Sequence, residues 1–370
     1  MRKNPGLTRK DHLLLIGDHT REEYLQMLEI IKLLKDAHKQ GVQPQLLKNK
    51  VIGMLFADSS LRTRVSFETA ATLLGGHAEF LSINNLHAGQ GNESMRDTAE
   101  VLSRMVDLVL IRTEEQETME EFAKYSFTPV INGSCLQSHP TQVICDVFTM
   151  MEHLPDTRLE DMKVMFIGDN SNEFHRFVPV QRSMMALCAI LGMTYIACSP
   201  EVMLPSKSDR KMFEDLSAES GGKLILTTDP DEYIADADFI VTEVMTFKGM
   251  QEYHGFTDEE FTRIRKDLLF PKYQINKELL KKAKPNIGVM HCMPGNRDDE
   301  ITSEVWDGPN SLLFEEAENR LHTQKGLLAW FLYGQEKSNA LYNYHTGIVE
   351  NQLNEAFEKC RIDRQNLNIK

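Results

Sequence analysis

The sequence has no paired cysteine motif. Its cysteines form neither a C-x-x-C pair nor a zinc-binding spacing; they are Cys135, Cys145, Cys188, Cys198, Cys292 and Cys360. This absence excludes the zinc-ribbon and dithiol redox classes, which depend on such spacings. Reduced thiols are the form that the cytosol maintains, so we expect a cytoplasmic protein.

Long apolar segments and a basic surplus are missing as well. No run approaches the roughly 20 residues of a membrane-spanning helix, and the N-terminal run LLLIG is too short for a signal peptide. The formal net charge of -14 argues against nucleic acid or an anionic membrane as partner. No G-x-G-x-x-G follows an apolar run, which excludes a Rossmann-type dehydrogenase. A small anionic substrate is still compatible with this charge, because it needs only a local arginine cluster.

What the sequence does contain is an alternation of helical patterns, such as 24–39 and 145–154, with short apolar runs. This alternation predicts an α/β protein of two domains, each a mostly parallel sheet flanked by helices. The polar, proline-containing segment near 150–162 predicts the boundary, and late helices are predicted over 326–335 and 351–362. The predicted strands are 51–57, 107–112, 129–133, 163–169, 194–199, 223–228, 238–244, 287–294 and 311–316.

A stretch rich in hydroxyls and guanidinium groups, SSLRTR, occupies 59–64, directly after the first predicted strand. A helical pattern follows it, and free backbone N–H groups at a helix start suit a phosphate or another oxyanion. The alternative is a charged helix start with a capping serine. Arg112 closes the run DLVLIR and is a second candidate, although a single strand-terminal arginine is usually a surface residue.

The motif SHPTQ places His139 and Gln142 around a proline, directly before a helix. Both side chains can donate to a carbonyl oxygen or accept from an amide. The alternative is a turn histidine beside a proline that starts the helix.

Two later motifs also lie at predicted element ends. HCMP places Cys292 and Met293 at the end of an apolar strand, which is where open α/β sheets bind ligands. ENRLHT places Arg320 and His322 at the start of the last long helical pattern, where a solvated helix face is the alternative explanation.

Taken in order, these motifs resemble the aspartate/ornithine carbamoyltransferase family over about residues 25 to 335. The sequence carries SSLRTRVSFE, an arginine-ended strand, HPTQ, FIGD, HCMP and ENRLHT in that order. The segments that resemble the ornithine and putrescine branches are PQLLKNK, PVING, MEHLP, FPKYQIN and the cysteine of HCMP.

This resemblance implies transfer of a carbamoyl group from carbamoyl phosphate to a small amine, without cofactor or metal, by a homotrimer. It implies a carbamoyl-phosphate domain over 1–150, completed by a C-terminal helix near 322–335, and an acceptor domain over 151–321. A helical extension would occupy 336–370.

The resemblance also implies a role for each candidate residue. The residues that it makes catalytic are Arg112, His139, Gln142 and Cys292. The residues that it makes substrate-binding are Ser60, Leu61, Arg62, Thr63, Asn172, Glu243, Met293 and Arg320. In this assignment the first four hold the phosphate, and the backbone carbonyls at Cys292 and Met293 accept from the carbamoyl NH2.

The sequence departs from the family pattern at several points. Leu61 stands where the family usually has threonine, so the loop keeps a backbone N–H and loses a hydroxyl. Glu243-Val244-Met245 stands where relatives carry Asp-Val-Trp, and the Ser-Met-Gly signature of the ornithine branch is absent from 246–256. The stretch 170–185 is longer than in ornithine or putrescine members and is similar to that of relatives that use acylated ornithines.

The acceptor is therefore open between putrescine or ornithine, an acylated ornithine and another amine. A catalytically weakened relative used for binding or regulation is a further alternative. Carboxylates at Asp169, Glu173 and Glu243 favour a diamine, whose distal ammonium would pair with them. An α-carboxylate would instead need a cation, for which the candidates are His175, Arg176, Arg182 and Lys248.

Overall fold

The computed structural model describes residues 7–83, 93–171, 179–245 and 258–334, together with the isolated positions 347, 351 and 355. As far as these residues are described, the chain divides into two compact units. The first unit comprises Met1–Leu14, Glu22–Gly133 and Arg320–Lys370, and the second comprises Leu15–Arg21 and Ser134–Asn319.

The first unit is built on a four-stranded sheet with the strand order β2-β1-β3-β4. Its strands are β1 (Val51–Phe56), β2 (His77–Ser82), β3 (Leu108–Arg112) and β4 (Val130–Ser134). β1 pairs in parallel with both β2 and β3. The helices are α1 (Arg21–Lys39), α2 (Leu61–Leu73), α3 (Met95–Leu102) and α4 (Gln116–Tyr125).

The burial of each strand explains whether it can be predicted from an apolar run in the sequence. β1 and β3 are almost wholly buried, so they read as continuous apolar runs. β2 lies at the edge of the sheet and leaves alternate residues exposed. The sequence HAEFLS has no apolar run, which is why this strand was not predicted.

The second unit contains a five-stranded parallel sheet with the order β7-β6-β5-β8-β9. Its strands are β5 (Lys163–Ile167), β6 (Thr194–Cys198), β7 (Lys223–Thr227), β8 (Phe239–Thr242) and β9 (Gly288–His291). The helices that begin in this unit are α5 (Pro140–His153), α6 (Pro179–Leu191), α7 (Lys207–Ser217), α8 (Pro230–Tyr233), α9 (Asp258–Leu269), α10 (Lys277–Leu280), α11 (Ser303–Trp306) and α12 (Leu313–Ala329).

Short irregular helices complete the described chain. The 3-10 helices are Arg9–Asp11, Ile16–Asp18, Leu159–Asp161 and Glu201–Met203, and a π-helix, Trp330–Gly334, follows α12. In the part of the chain that is described, no helix is both long enough and apolar enough to cross a membrane.

Each sheet has a point at which the strand order reverses, and open α/β sheets bind ligands at the carboxyl ends of the strands there. In the first sheet this point lies between β1 and β3, and in the second between β5 and β8. In the first sheet, the loop 57–60 follows β1, and Arg112 is the last residue of β3. In the second sheet, Asp169 follows β5 and Glu243 follows β8.

The predicted fold class, two parallel sheets flanked by helices, is confirmed. The strand predicted over 311–316 is wrong, because α12 begins at Leu313 and only Ser311 forms a bridge to a strand residue, Val289. Its glutamates belong to the first helical turn, where carboxylates are favoured. The predicted extension over 336–370 lies outside the described residues except at 347, 351 and 355.

Candidate functional site

The candidate residues fall in both units, and those of the first unit gather around the start of α2. We call residues 59–64 the anion loop. Ser60 precedes α2 with extended backbone, and the helix begins at Leu61. The first backbone N–H groups of α2 therefore have no partner inside the helix, which gives the loop the geometry of an anion site.

The two arginines of the anion loop have different surroundings. Arg64 donates to Glu68 at 2.9 Å, and its guanidinium lies 3.6 Å from the centre of the Phe80 ring. These contacts make Arg64 part of the packing of α2 against β2. Arg62 is half-buried and lies two residues closer to the helix start, which makes it the better candidate for an anion ligand.

Thr63 and Arg320 are brought together, although 257 positions separate them. Both side chains are buried, and Arg320 Nη2 donates to Thr63 Oγ1 at 3.1 Å. α12 is held close to α1 in this unit, since Lys325 Nζ donates to the Leu34 carbonyl at 3.0 Å. The contact places a guanidinium beside Thr63 of the anion loop.

Arg112 lies at the same sheet edge as the anion loop. The β1–β3 register pairs Phe56 with Arg112, and the amide of Ala57 donates to the Arg112 carbonyl at 2.8 Å. The Arg112 guanidinium donates to the Gly133 carbonyl at 3.5 Å. Parallel strands thus bring the strand-terminal arginine beside the residue that enters the loop.

Leu61, the departure from the family pattern, is 74% exposed in this chain. Val65, one turn further along α2, is 48% exposed. Leu61 therefore contributes little to the core of its own unit.

In the second unit, His139 and Gln142 lie at the start of α5. His139 is the residue before Pro140, and its backbone N–H donates to Ser183 Oγ at 3.0 Å. The imidazole Nδ1 lies 3.4 Å from Thr141 Oγ1. Gln142 Nε2 donates to Asp146 Oδ1 at 2.7 Å and to Glu316 Oε1 at 2.8 Å.

The HCMP motif forms a tightly bonded turn after β9. The Met293 N–H donates to His291 Nδ1 at 2.8 Å, and His291 Nε2 lies 3.2 Å from Glu300 Oε1. Because Nδ1 accepts, the ring proton is on Nε2 and is donated to Glu300. Met293 has a positive φ of 50°, so the backbone turns sharply at the residue after Cys292.

A buried ion pair organises the ends of β5 and β8. Arg265 Nη1 donates to Asp169 Oδ2 at 2.6 Å, and the side chains are 1% and 2% exposed. Arg265 Nε also donates to the Met245 carbonyl at 2.7 Å. One guanidinium therefore fixes the backbone after β5 and the backbone after β8.

Glu243 lies beside this ion pair and is itself buried. Burial raises the pKa of its carboxyl well above the usual value, and the negative charge of Asp169 adds to that effect. The Arg265 guanidinium and the backbone amides of Gln181 and Val180 oppose the shift. In such surroundings the neutral, protonated form of the carboxyl is favoured over the charged form.

Several predicted residues of the acceptor region lie outside the described chain. They are Asn172, Glu173, His175, Arg176 and Lys248. Among the described candidates, Asp169 is bound to Arg265, and Arg182 Nε lies 3.4 Å from Asp209 Oδ1.

Three residues that hold the candidates in place lie outside the predicted motifs; they are Arg265, Glu300 and Glu316. Glu316 has a weak signal, since it lies three residues after Leu313 and four before Arg320 on one helix face. Arg265 has a similar weak signal, since it lies four residues before the buried Leu269 and therefore on the same helix face. Over the described residues, no group of three or more His, Cys, Asp or Glu side chains could hold a metal ion.

Comparison with known proteins agrees with this geometry. Residues 11–152 match the carbamoyl-P binding domain of the aspartate/ornithine carbamoyltransferase family, and residues 160–331 match its Asp/Orn binding domain. The putrescine carbamoyltransferase of Mycoplasma capricolum subsp. capricolum is 40% identical over 350 residues, which cover 92% of this chain and 91% of the relative. The ornithine carbamoyltransferase of Archaeoglobus fulgidus is 41% identical over 317 residues, which cover 86% of this chain and 96% of the relative.

A solved structure gives the same result. The ornithine carbamoyltransferase from Pyrococcus furiosus superimposes with a TM-score of 0.76 at 38% identity, covering 86% of this chain and 96% of that one. Both halves of the chain thus match one enzyme family in sequence and in fold. The chain belongs to the aspartate/ornithine carbamoyltransferase family and is a carbamoyltransferase.

Proposed function

We propose that this enzyme moves the carbamoyl group of carbamoyl phosphate to a primary amine of putrescine, with ornithine as the second candidate acceptor. The observation that carries the choice is how two arginines are paired among the described residues after β5 and β8. Arg182 lies 3.4 Å from the carboxylate of Asp209, and Arg265 forms an ion pair with Asp169. The α-carboxylate of ornithine would compete with these two buried carboxylates for the arginines, whereas a diamine carries no carboxylate.

Relatives give this choice further support. The matches to the putrescine carbamoyltransferases of two Mycoplasma species extend over 350 residues, whereas those to ornithine carbamoyltransferases extend over 317 to 324. Glu243, as a buried carboxyl, could accept a hydrogen bond from an amine.

The proposed chemistry begins at the anion loop. The amides at the start of α2, with Ser60, Arg62 and Thr63, would hold the phosphate, and Leu61 would contribute its backbone N–H. Arg112 and Arg320 would stabilise the charge on phosphate and on the carbonyl oxygen. Such preorganised positive charge is usually the largest single contribution to this kind of catalysis.

The second unit would supply the groups for the carbamoyl carbon and the acceptor. His139 and Gln142 would hold the carbamoyl group, and backbone carbonyls at Cys292 and Met293 would accept from its NH2. The amine lone pair forms the new N–C bond and the carbon–oxygen bond to phosphate breaks. The departing phosphate leaves with that bonding electron pair and takes up the proton that the amine loses. Asn172 and Glu243 would orient the acceptor, and the Cys292 thiol would lie next to the reacting amine.

The domain assignment is part of the proposal. We assign carbamoyl phosphate to 1–150 with the helix near 322–335, and the acceptor to 151–321. We also propose a homotrimer working in the cytoplasm. The buried thiols Cys188 and Cys198 fit a reducing compartment.

The test is a panel assay with purified protein and carbamoyl phosphate. Putrescine, ornithine, N-acetylornithine, lysine and aspartate are offered separately, and both released phosphate and the carbamoylated product are quantified. We expect the highest kcat/KM with putrescine. Arg62→Gln should abolish phosphate release, while Arg64→Gln is the matched control, because Arg64 is occupied by Glu68 and Phe80.

The outcomes separate the two parts of the proposal. Higher kcat/KM with ornithine than with putrescine would reject the diamine and leave carbamoyl transfer in place. No phosphate release with any acceptor, together with equal behaviour of Arg62→Gln and Arg64→Gln, would reject this mechanism.

A further inference from the structure

The amide group of Gln142 has a fixed orientation. Both of its N–H donors are used, one by Asp146 Oδ1 at 2.7 Å and one by Glu316 Oε1 at 2.8 Å. All three side chains are buried. A rotated amide would place its oxygen against two carboxylates, so the N–H groups must face them. Gln142 can therefore offer a ligand only its carbonyl oxygen, which accepts and cannot donate.

Glu316 also reaches the turn after β9. Its second carboxylate oxygen, Oε2, accepts from the backbone N–H of His291 at 3.0 Å. The His291 ring in turn accepts from the N–H of Met293 at 2.8 Å. One carboxylate therefore holds both the Gln142 amide and the backbone that carries Cys292.

The position of Glu316 suits a carboxylate. It lies in the first turn of α12, where the helix dipole favours negative charge, and its own carbonyl accepts from Cys145 Sγ at 3.2 Å. Glu315, the next residue back, is exposed and makes none of these contacts. The two neighbouring glutamates thus differ in role although they do not differ in charge.

We infer that Glu316 is a positioning residue that makes the enzyme select an NH2 group on the transferred carbon. It does so by orienting two kinds of acceptor, the Gln142 carbonyl oxygen and the backbone carbonyls at Cys292 and Met293. This inference rests on the proposed function. A site built to accept from an N–H rejects analogues that lack it, because its acceptors are left without a partner.

Acetyl phosphate tests this selection, since it carries a methyl group where carbamoyl phosphate carries NH2. Dissociation constants for carbamoyl phosphate, acetyl phosphate and inorganic phosphate are measured by titration calorimetry for each variant. The wild-type chain should prefer carbamoyl phosphate over acetyl phosphate by about 10-fold or more. Glu316→Gln replaces one accepting oxygen by a donor and should bring that ratio close to one. Acetyl phosphate and phosphate should bind as before.

Glu315→Gln is the matched control, since it makes the same change of charge at an exposed position and should keep the ratio. Glu316→Asp retains the charge but shortens its reach, so it should also lose the selection. Circular dichroism and thermal unfolding show which variants are folded. If Glu316→Gln is not folded, Glu316→Asp serves as the test.

Two results would overturn the inference. A folded Glu316 variant that keeps the wild-type ratio would show that Glu316 does not set the selection. A variant that weakens all three ligands equally would show a general distortion. A wild-type chain that binds no carbamoyl phosphate would reject the proposed function itself, and this failure appears before any variant is compared.

Discussion

Replacing Arg265 by methionine should destabilise the second unit strongly. The guanidinium is buried and forms an ion pair with Asp169 at 2.6 Å and a hydrogen bond to the Met245 carbonyl at 2.7 Å. Asp169 Oδ1 also accepts from the Ser171 N–H and hydroxyl, so this carboxylate is held in place after Arg265 is removed. Arg265→Met would leave a buried charge without its cation.

The magnitude follows from measured cases of broken buried ion pairs. Removing one partner costs about 3–5 kcal/mol, because the remaining charge is uncompensated. In a unit of about 150–250 residues, each kcal/mol lowers Tm by about 2–4 °C. We therefore expect Tm to fall by about 6–20 °C, provided that this unit gives its own transition.

Differential scanning calorimetry on four proteins tests the expectation. They are the wild type, Arg265→Met, the double variant Asp169→Asn/Arg265→Met, and Arg263→Met as the matched control on the exposed side of the same helix. The double variant should recover part of the loss, because it removes the uncompensated charge. If Arg265→Met and Arg263→Met melt at the same temperature, or if the double variant is the least stable, the ion pair does not act as described.

Three further predictions concern single side chains. Leu61→Thr should tighten carbamoyl phosphate binding about two- to tenfold, since an exposed leucine is replaced without a cavity and one hydroxyl donor is gained; unchanged or weaker binding in calorimetry would contradict this. Glu243 has a raised pKa, so the free energy of unfolding of the wild type should fall as pH rises from 4.5 through that pKa. In urea titrations, Glu243→Gln should therefore gain stability relative to the wild type as pH rises. A difference in free energy of unfolding between the two proteins that stays constant with pH would contradict this prediction. Burial, and after it the nearby cations, lower the pKa of His322 to about 3. The contribution of the neutral ring to the free energy of unfolding is therefore lost as pH falls from 6.5 toward 3. His322→Asn should reduce this acid sensitivity, and parallel curves for the two proteins would refute it.

Much of the fold could be predicted because buried parallel strands have a simple signature. β5, β6 and β8 are covered on both faces and read as short apolar runs. The exposed edge strand β2 has no such signature. The segment 311–316 has a similar apolar start, but its secondary structure is decided by the helical pattern that follows it. For this reason α12 begins within the segment, at Leu313.

The positions of the candidate residues could be predicted for the same reason. Arg112 ends a strand, Ser60 directly precedes a helix and His291 ends a strand. Parallel topology gathers such ends at one edge of each sheet. The packing role of Arg64 could not be predicted, because it depends on Phe80, a residue of the edge strand β2 that has no apolar run in the sequence.

What the sequence motifs cannot give is orientation. HPTQ identifies Gln142 as a candidate, yet an isolated glutamine can donate or accept equally well. Its partner Glu316 lies 174 positions away, and the partner of Asp169 lies 96 positions away. In both cases the distant side chain decides whether the motif residue presents a donor, an acceptor or a compensated charge. Two chains with the same motifs could therefore select different groups on the substrate if they differ at positions such as 316 and 265. This is why Glu316→Gln, a change two residues before the motif ENRLHT, should alter ligand selection while leaving the anion loop intact.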